Sequence, residues 1–296
     1  MKLTGIHFLL TYQCTQECDH CFVWSTPKYM ETFTLKQISE LLQEAKRLGT
    51  VEWVWFEGGE PFLYYPIMVK GLREAKAMGF KVGALSNAYW ATSLDDALEW
   101  LRPLAEIGVA DLGLSSDLYH GEEKEAERVK NGVEAAMQLN IPVSIMATTK
   151  LPERLVGLPG GAVEVMCRGR AAVKLLEGAA RKPWTEFKEC PHEKLASPDR
   201  VHVDALGYIH PCQGLTIGNA WQRPFSEIIQ TYDPASHPIM KPLVEGGPVA
   251  LVREFNLPHE ETYVDACHLC YVARVQLRKR FPDLLAPGQM YGEGLE

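Results

Sequence analysis

Gly5-Ile6-His7-Phe8-Leu9-Leu10-Thr11-Tyr12-Gln13-Cys14-Thr15-Gln16-Glu17-Cys18-Asp19-His20-Cys21 opens on an apolar run and closes on three cysteines. The run Gly5–Tyr12 reads as a buried strand, and the cysteines follow it with the spacing C-x-x-x-C-x-x-C. The next cysteine in the chain is Cys167. Three thiolates without a fourth nearby suit a [4Fe–4S] cluster in which one iron keeps an open coordination position. An open iron can bind a substrate or cosubstrate, so the triplet points to chemistry beyond electron storage.

Outward from this stretch, apolar runs alternate with amphipathic ones. Further candidate strands are Val51–Phe56, Lys81–Leu85, Asp111–Leu114, Pro142–Met146 and Ala162–Val165. The clearest helical pattern puts Leu35, Ile38, Leu41, Leu42, Ala45 and Leu48 on one face. Thr34 and Gln37 form a capping box at its start, and Gly49 can close it. Ser93 with Asp96 gives a similar start signal before Leu98, Leu101 and Leu104. Six strand–helix units predict an α/β fold over residues 1–172, a parallel sheet curled into a partial (β/α)6 TIM-like barrel. Ligands in such folds bind beyond the C-terminal ends of the strands. The pattern changes in residues 173–296, where Pro183 and Pro191 interrupt it, Arg200–Pro211 reads as a hairpin and one helix is expected around Val264–Phe281. This stretch is read as a small cysteine-rich second domain ending in a Gly-rich tail.

The composition narrows the function classes. Of 296 residues 46% are hydrophobic, enough for a sizeable core and against disorder. A net charge of −8 argues against nucleic acid as a partner. No apolar run has transmembrane length, and the start, Met1 to Leu10, is too short and wrongly flanked for a signal peptide. No membrane partner and a cytoplasmic location are therefore expected. In that compartment eight cysteines are read as metal ligands rather than a disulfide framework.

Glu57-Gly58-Gly59-Glu60-Pro61 directly follows the second candidate strand. Two glycines let a backbone approach a ligand closely, and a carboxylate beside them can hold an ammonium group. Taken with the triplet, this turn resembles the radical S-adenosylmethionine (radical SAM) superfamily, and the resemblance covers most of the chain. It implies that the methionine part of S-adenosylmethionine chelates the open iron, with Gly58, Gly59 and Glu60 gripping its amino group. Reductive cleavage then gives a 5′-deoxyadenosyl radical that abstracts hydrogen from a substrate. It also implies an external electron donor such as flavodoxin or ferredoxin. By the same resemblance, His20 lies where relatives carry an aromatic residue against the adenine. Asn87, in Ser86-Asn87-Ala88, corresponds to a Thr-Asn-Gly turn, and Ser115, in Ser115-Ser116-Asp117, to a cosubstrate-contacting serine. Arg128 and Arg170 are the candidates for its carboxylate. Glu57 departs from the Thr or Ser usual before Gly-Gly. Plain structural roles compete: a helix cap for Ser115 and Ser116, a turn for Asn87 and a solvated helix surface for Arg128.

Cys190, Cys212 in Gly207-x-x-x-x-Cys212, and Cys267-His268-Leu269-Cys270 form the second set. Their order resembles the auxiliary-cluster extension called a twitch domain, a shorter relative of the SPASM domain, and implies a second, fully ligated [4Fe–4S] cluster. Two separated cysteines plus C-x-x-C also suit structural zinc. His192, His210 and His268 lie beside these cysteines as outer partners or ordinary loop histidines. Cys167 is left over, either a hydrogen-atom donor to a product radical or a buried apolar residue. Tyr119 and His120 are candidates for an acid–base or radical relay.

The expected activity is oxidative modification of a peptide, as in ribosomal peptide maturation, or of a small natural-product intermediate. The alternatives are an epimerase that uses a cysteine hydrogen donor and a non-catalytic iron–sulfur or zinc scaffold. Because the first strand begins almost at Met1, no leader-recognition domain is expected before it. A peptide substrate would then call for a separate recognition protein or direct binding.

Overall fold

Five- and six-residue apolar segments, each followed by a turn signal, set up a parallel sheet in the first half of the chain. The computed structural model describes residues 1–120, 123–148 and 159–294. Its first unit takes Thr4–Cys18 and Ser25–Val165. The strands are β1 (Gly5–Leu9), β2 (Trp53–Glu57), β3 (Lys81–Ser86), β4 (Asp111–Ser115), β5 (Val143–Ala147) and β6 (Gly160–Ala162). They pair in parallel in the order β6-β5-β4-β3-β2-β1, so each strand is added to the same edge as the one before. Parallel neighbours need long crossovers, and four of these carry the helices α1 (Leu35–Leu48), α2 (Tyr65–Ala77), α3 (Leu94–Ile107) and α4 (Glu123–Gln138). The result is an α/β fold with a mostly parallel sheet.

Local chemistry sets these elements. Thr34 accepts from the Gln37 amide while the Gln37 side chain accepts from the Thr34 amide, and Gly49 ends α1 at φ 70°. Helix α1 buries Ile38, Leu41, Leu42 and Ala45, each large side chain contributing about 1.5–3 kcal/mol through area removed from water. The sixth strand lies earlier than Ala162–Val165. Gly160 takes φ +107°, and a Cβ there would lie 2.0 Å from the Ile145 carbonyl oxygen. The edge thus pairs through glycines, while the apolar Val163 that suggested the later strand stays exposed.

The second unit takes Met1–Leu3, Asp19–Trp24 and Met166–Glu296. Its strands are short: β7 (Lys182–Pro183) pairs antiparallel with β10 (Thr262–Tyr263), and β8 (Arg200–Asp204) with β9 (Ile209–His210) as the expected hairpin. Its helices are α5 (Ala171–Lys174), α6 (Phe225–Gln230), α7 (Met240–Glu254, kinked at Gly246–Gly247) and α8 (Ala266–Leu277). Leu215, Ile239, Met240, Leu243, Leu251 and Leu269 are among its buried core residues. The segment Asp19–Trp24 is tied in by the Trp24 indole, which donates to Tyr271 Oη at 2.9 Å, and by Gln289, which donates to the Trp24 carbonyl at 3.1 Å. Among the described residues no helix is long and apolar enough to cross a membrane.

Candidate metal and cosubstrate sites

The approach to Cys14 is built by backbone pairing that continues past the ends of β1 and β2. Leu10 donates to the Glu57 carbonyl at 2.7 Å, Gly59 to Thr11 at 2.7 Å and Glu60 to Gln13 at 2.8 Å. The Gly-Gly turn is thereby laid along the residues that lead into Cys14. A Cβ at Gly58 would lie 2.4 Å from the Thr11 carbonyl oxygen, and one at Gly59 2.1 Å from that of Gln13. The close approach these glycines permit is to the neighbouring backbone, a demand of the fold itself.

Glu60 is fully buried and caps the 3-10 turn Pro61–Tyr64. Its carboxylate accepts from the Phe62 amide at 3.0 Å, Ser86 Oγ at 3.0 Å and the Asn87 amide at 2.8 Å. Burial outweighs these three donors and pushes its pKa up to about 7. A carboxylate offers about four acceptor positions, so this one keeps room for a further, preferably cationic, donor. Asn87 joins the turn to the thiol: its Nδ2 donates to Thr15 Oγ1 at 3.0 Å and reaches Cys14 Sγ at 3.6 Å. Ala88 stands next to it with φ 59°, in the left-handed region. Cys14 is buried, and Cys18 and Cys21 are half-buried. Cys14 and Cys18 belong to the first unit, Cys21 to the second.

The loop after β4 is organised by Asp117, which accepts from the Tyr119 amide at 2.9 Å, His120 Nδ1 at 2.8 Å, and the Thr148 amide and hydroxyl at 2.9 Å. It stitches the end of β4 to the end of β5 and fixes the His120 ring. The His120 carbonyl accepts from Gln16 Nε2 at 3.0 Å, which brings this loop beside the residues between Cys14 and Cys18. Ser115 ends β4 half-buried, Tyr119 is half-buried, and Arg128 lies half-buried on α4. Glu57, noticed in the sequence only as a departure, pairs with His7 Nδ1 at 3.2 Å. Alternation signals this pair, because His7 and Trp55 are register partners and Glu57 lies two residues on, on the same face.

In the second unit, Arg170 is buried, donates its amide to the Cys21 carbonyl at 2.9 Å and lays its guanidinium over the Trp24 ring at 5.3 Å. His20 is half-buried in the same segment. Cys167 is 4% exposed, and its amide donates to Asp265 Oδ2 at 2.9 Å. Burial, then the Asp265 charge, push its thiol pKa up to about 12.

Cys190, Cys212, Cys267 and Cys270 line one cavity together with Arg168 and Arg274. Asp265 caps α8 by accepting from the His268 amide at 2.6 Å, and the helical spacing of Cys267 and Cys270 puts both thiols on one face. Burial pushes the Cys270 thiol up to about 11 and raises Cys190 and Cys267 as well, and the neighbouring sulfurs add to each shift. A positive centre among these sulfurs would favour the thiolate form that burial opposes at Cys190, Cys267 and Cys270. The two arginines were not singled out in the sequence, although Arg274 follows Cys270 at the i,i+4 spacing that shares a helix face. Of the neighbouring histidines, His210 Nε2 pairs with Asp204 at 3.1 Å and His268 packs edge-on against Tyr263, while His192 lines the cavity.

Comparison with known proteins bears on the first half of the chain. The radical SAM superfamily model matches residues 8–154, so this half of the chain is a radical SAM domain, a class that implies a [4Fe–4S] cluster and S-adenosylmethionine. Over 143 residues the chain is 29% identical to YydG of Bacillus subtilis (strain 168), a protein named for peptide biosynthesis, covering 48% of this chain and 45% of that one. Over 116 residues it is 29% identical to the tungsten-containing aldehyde ferredoxin oxidoreductase cofactor-modifying protein of Pyrococcus furiosus, covering 38% and 30%. The chain thus spans less than half the length of these curated relatives. The fold is similar to that of BtrN in complex with AdoMet and 2-DOIA, with a TM-score of 0.55, 15% identity, and 82% of this chain and 88% of that one covered.

Proposed function

We propose that the chain is a radical SAM enzyme that oxidatively modifies a peptide, or a small natural-product intermediate, in the cytoplasm. In this reading a partial (β/α)6 barrel over residues 1–172 is followed by a twitch-like domain over 173–296. Cys14, Cys18 and Cys21 hold a [4Fe–4S] cluster with one open iron, fed by a donor such as flavodoxin or ferredoxin. When bound, cluster and S-adenosylmethionine supply the 5′-deoxyadenosyl radical that takes hydrogen from the substrate. The observation that carries the reading is Glu60, a buried carboxylate pushed up to about 7 and joined through Asn87 to the Cys14 thiol. Such a carboxylate gains most from a cationic partner, and the methionine ammonium is one. Gly58 and Gly59 fix its position, Ser115 and Arg128 are the further cosubstrate contacts, and Arg170 and His20 flank Cys21. Tyr119 and His120 stand at the strand ends, where His120 can move a proton with Asp117 as its orienting partner. The peptide class draws support from the name of the Bacillus relative, and a separate peptide-recognition protein remains part of the proposal.

For Cys190, Cys212, Cys267 and Cys270 the reading is an auxiliary [4Fe–4S] cluster. Four Zn–S bonds of about 2.3 Å draw thiolates to about 3.8 Å of one another, whereas a cubane places each thiolate on a different iron and farther apart. The order Cys190, Cys212 and Cys267-x-x-Cys270, which resembles the twitch domain, supports the cluster.

The test is anaerobic reconstitution, reduction and measurement of 5′-deoxyadenosine, with metal counts. About eight irons per chain and deoxyadenosine release are expected; a fully loaded, reduced protein that forms none overturns the enzyme reading. A second reading, epimerisation, draws on Cys167, whose thiol pKa of about 12 keeps its hydrogen in place. In that case Cys167→Ala still releases deoxyadenosine but loses the inverted product, and unchanged product removes the idea.

A further inference from the structure

Two guanidiniums are buried at the four-cysteine cavity, and they are not equivalent. Arg168 Nη1 sits 3.3 Å from Glu193 Oε1, with both side chains 7% exposed, and 3.5 Å from Cys212 Sγ. It has a carboxylate partner in Glu193, which also pairs with Arg200 at 3.2 Å. Arg274 is 2% exposed, and among the described residues it makes no ion pair with a carboxylate. Its Nη1 donates to the Gln213 carbonyl at 2.8 Å and to Tyr291 Oη at 3.4 Å, and its guanidinium lies over the rings of Tyr271 and Tyr291 at 6.0 and 5.8 Å. Its Nε is buried without a hydrogen-bond partner. These contacts are neutral, and burying a cation among neutral groups is strongly unfavourable. What remains within reach is the cavity that Arg274 lines with the four thiols.

We propose that Arg274 is the built-in counter-charge of the auxiliary centre, a positioning residue that makes the centre easier to reduce. The proposal rests on the auxiliary-cluster reading above. Four thiolates around a doubly positive four-iron core leave the centre a dianion, and one added electron makes it a trianion. A fixed guanidinium favours the more negative state, and in a cavity walled by Leu195, Leu215 and Leu243 little water screens it. A centre that accepts an electron readily suits the removal of one from a substrate radical. Arg168, whose charge is offset in part by the Glu193 it shares with Arg200, exerts a weaker pull.

The experiment is a redox titration followed by electron paramagnetic resonance on the full chain carrying Cys14→Ala, Cys18→Ala and Cys21→Ala, so that only the second centre reports. In this background Arg274→Gln should shift the reduction equilibrium at least tenfold toward the oxidised state, 59 mV for one electron. Arg274→Lys, which keeps the charge, should stay closer to the parent. If Arg274→Gln loses its iron while Arg274→Lys keeps it, the charge requirement also stands. An unchanged midpoint in fully loaded Arg274→Gln overturns the proposal, as does equal loss of iron in both variants, which would mark a packing role. Zinc in place of iron in the parent, with no redox couple, sinks the auxiliary-cluster reading itself and is told apart by the metal count.

Discussion

The two sulfur sites are built with opposite electrostatics. Beside Cys14 stands Glu60, a buried carboxylate with spare acceptor capacity. Beside Cys190, Cys212, Cys267 and Cys270 stand Arg168 and Arg274, two buried guanidiniums. Their means of support differ as well. The first site is fixed by backbone pairing and glycines at the ends of parallel strands, the second by side chains converging from a hairpin, loops and one helix. On the proposed reading, the carboxylate beside Cys14 suits a cationic ligand and the guanidiniums beside the four thiols suit a centre that is itself anionic. Chemistry on a ligand then falls to the first and charge storage to the second.

The sharpest way to break this contrast is to remove one ligand from each site. Cys18→Ala should lower deoxyadenosine formation by more than about a hundredfold, beyond what loss of an outer partner of a metal ligand costs, and leave about four irons per chain. Cys212→Ala should also lose about four irons yet leave substrate-free deoxyadenosine formation within about tenfold of the parent. Equal losses of activity would erase the division of labour.

The backbone character of the first site is tested by Gly59→Ala. Its Cβ would lie 2.1 Å from the Gln13 carbonyl oxygen, so the turn must move, at a cost of about 3 kcal/mol. Gly161→Ala, with nothing within 4 Å of the added carbon, serves as the control. Urea unfolding should separate the two variants clearly, and equal midpoints would show that the turn has slack.

Glu60 gives the contrast a pH signature. Its pKa rises from 4.5 to about 7 on folding, so between those values the folded state holds a proton that the unfolded state releases. Stability from this group is complete below pH 4.5 and is lost as pH climbs through about 7, a fall of about 3 kcal/mol at 1.36 kcal/mol per unit. In Glu60→Gln that slope should vanish, as read from urea midpoints at pH 5 and pH 8. S-adenosylmethionine should stabilise the parent more at pH 8 than at pH 5, because its ammonium favours the ionised carboxylate. Parallel curves for parent and variant would remove Glu60 as the site's charge.

Much of the first site was legible in the sequence because its signals are local. The capping box at Thr34 and Gln37, the strand starts at Gly5, Lys81 and Asp111, and the Gly-Gly turn after β2 all rest on neighbours a few residues apart. What escaped depends on contacts distant in sequence. Asp117 reaches Thr148 across 31 positions, and Asp265 reaches Cys167 across 98. Arg274 carried a signal, one helical turn after Cys270, but an arginine on a helix most often faces water, and only burial reveals its partner. The sixth strand was misplaced because an apolar run was weighed above the glycines that allow close pairing at an edge.

The smallest expected effect lies at Ala88, where the resembling turn has glycine. A φ of 59° costs an L-residue about 1–2 kcal/mol, which Ala88→Gly would relieve. Against this stand about 0.4–1 kcal/mol of extra unfolded-state entropy and about 0.8 kcal/mol for a buried methyl, since Ala88 is fully buried. The three contributions nearly cancel, so the substitution should change stability by less than about 0.5 kcal/mol. Gly59 and Ala88 then separate two backbone demands within one site: close approach, which only glycine meets, and a positive φ, which alanine can meet when its methyl is packed. Destabilisation beyond about 1 kcal/mol would mean that methyl packing beneath Asn87, rather than the dihedral, holds the turn against Cys14. The same urea series that reads Gly59→Ala reads this outcome.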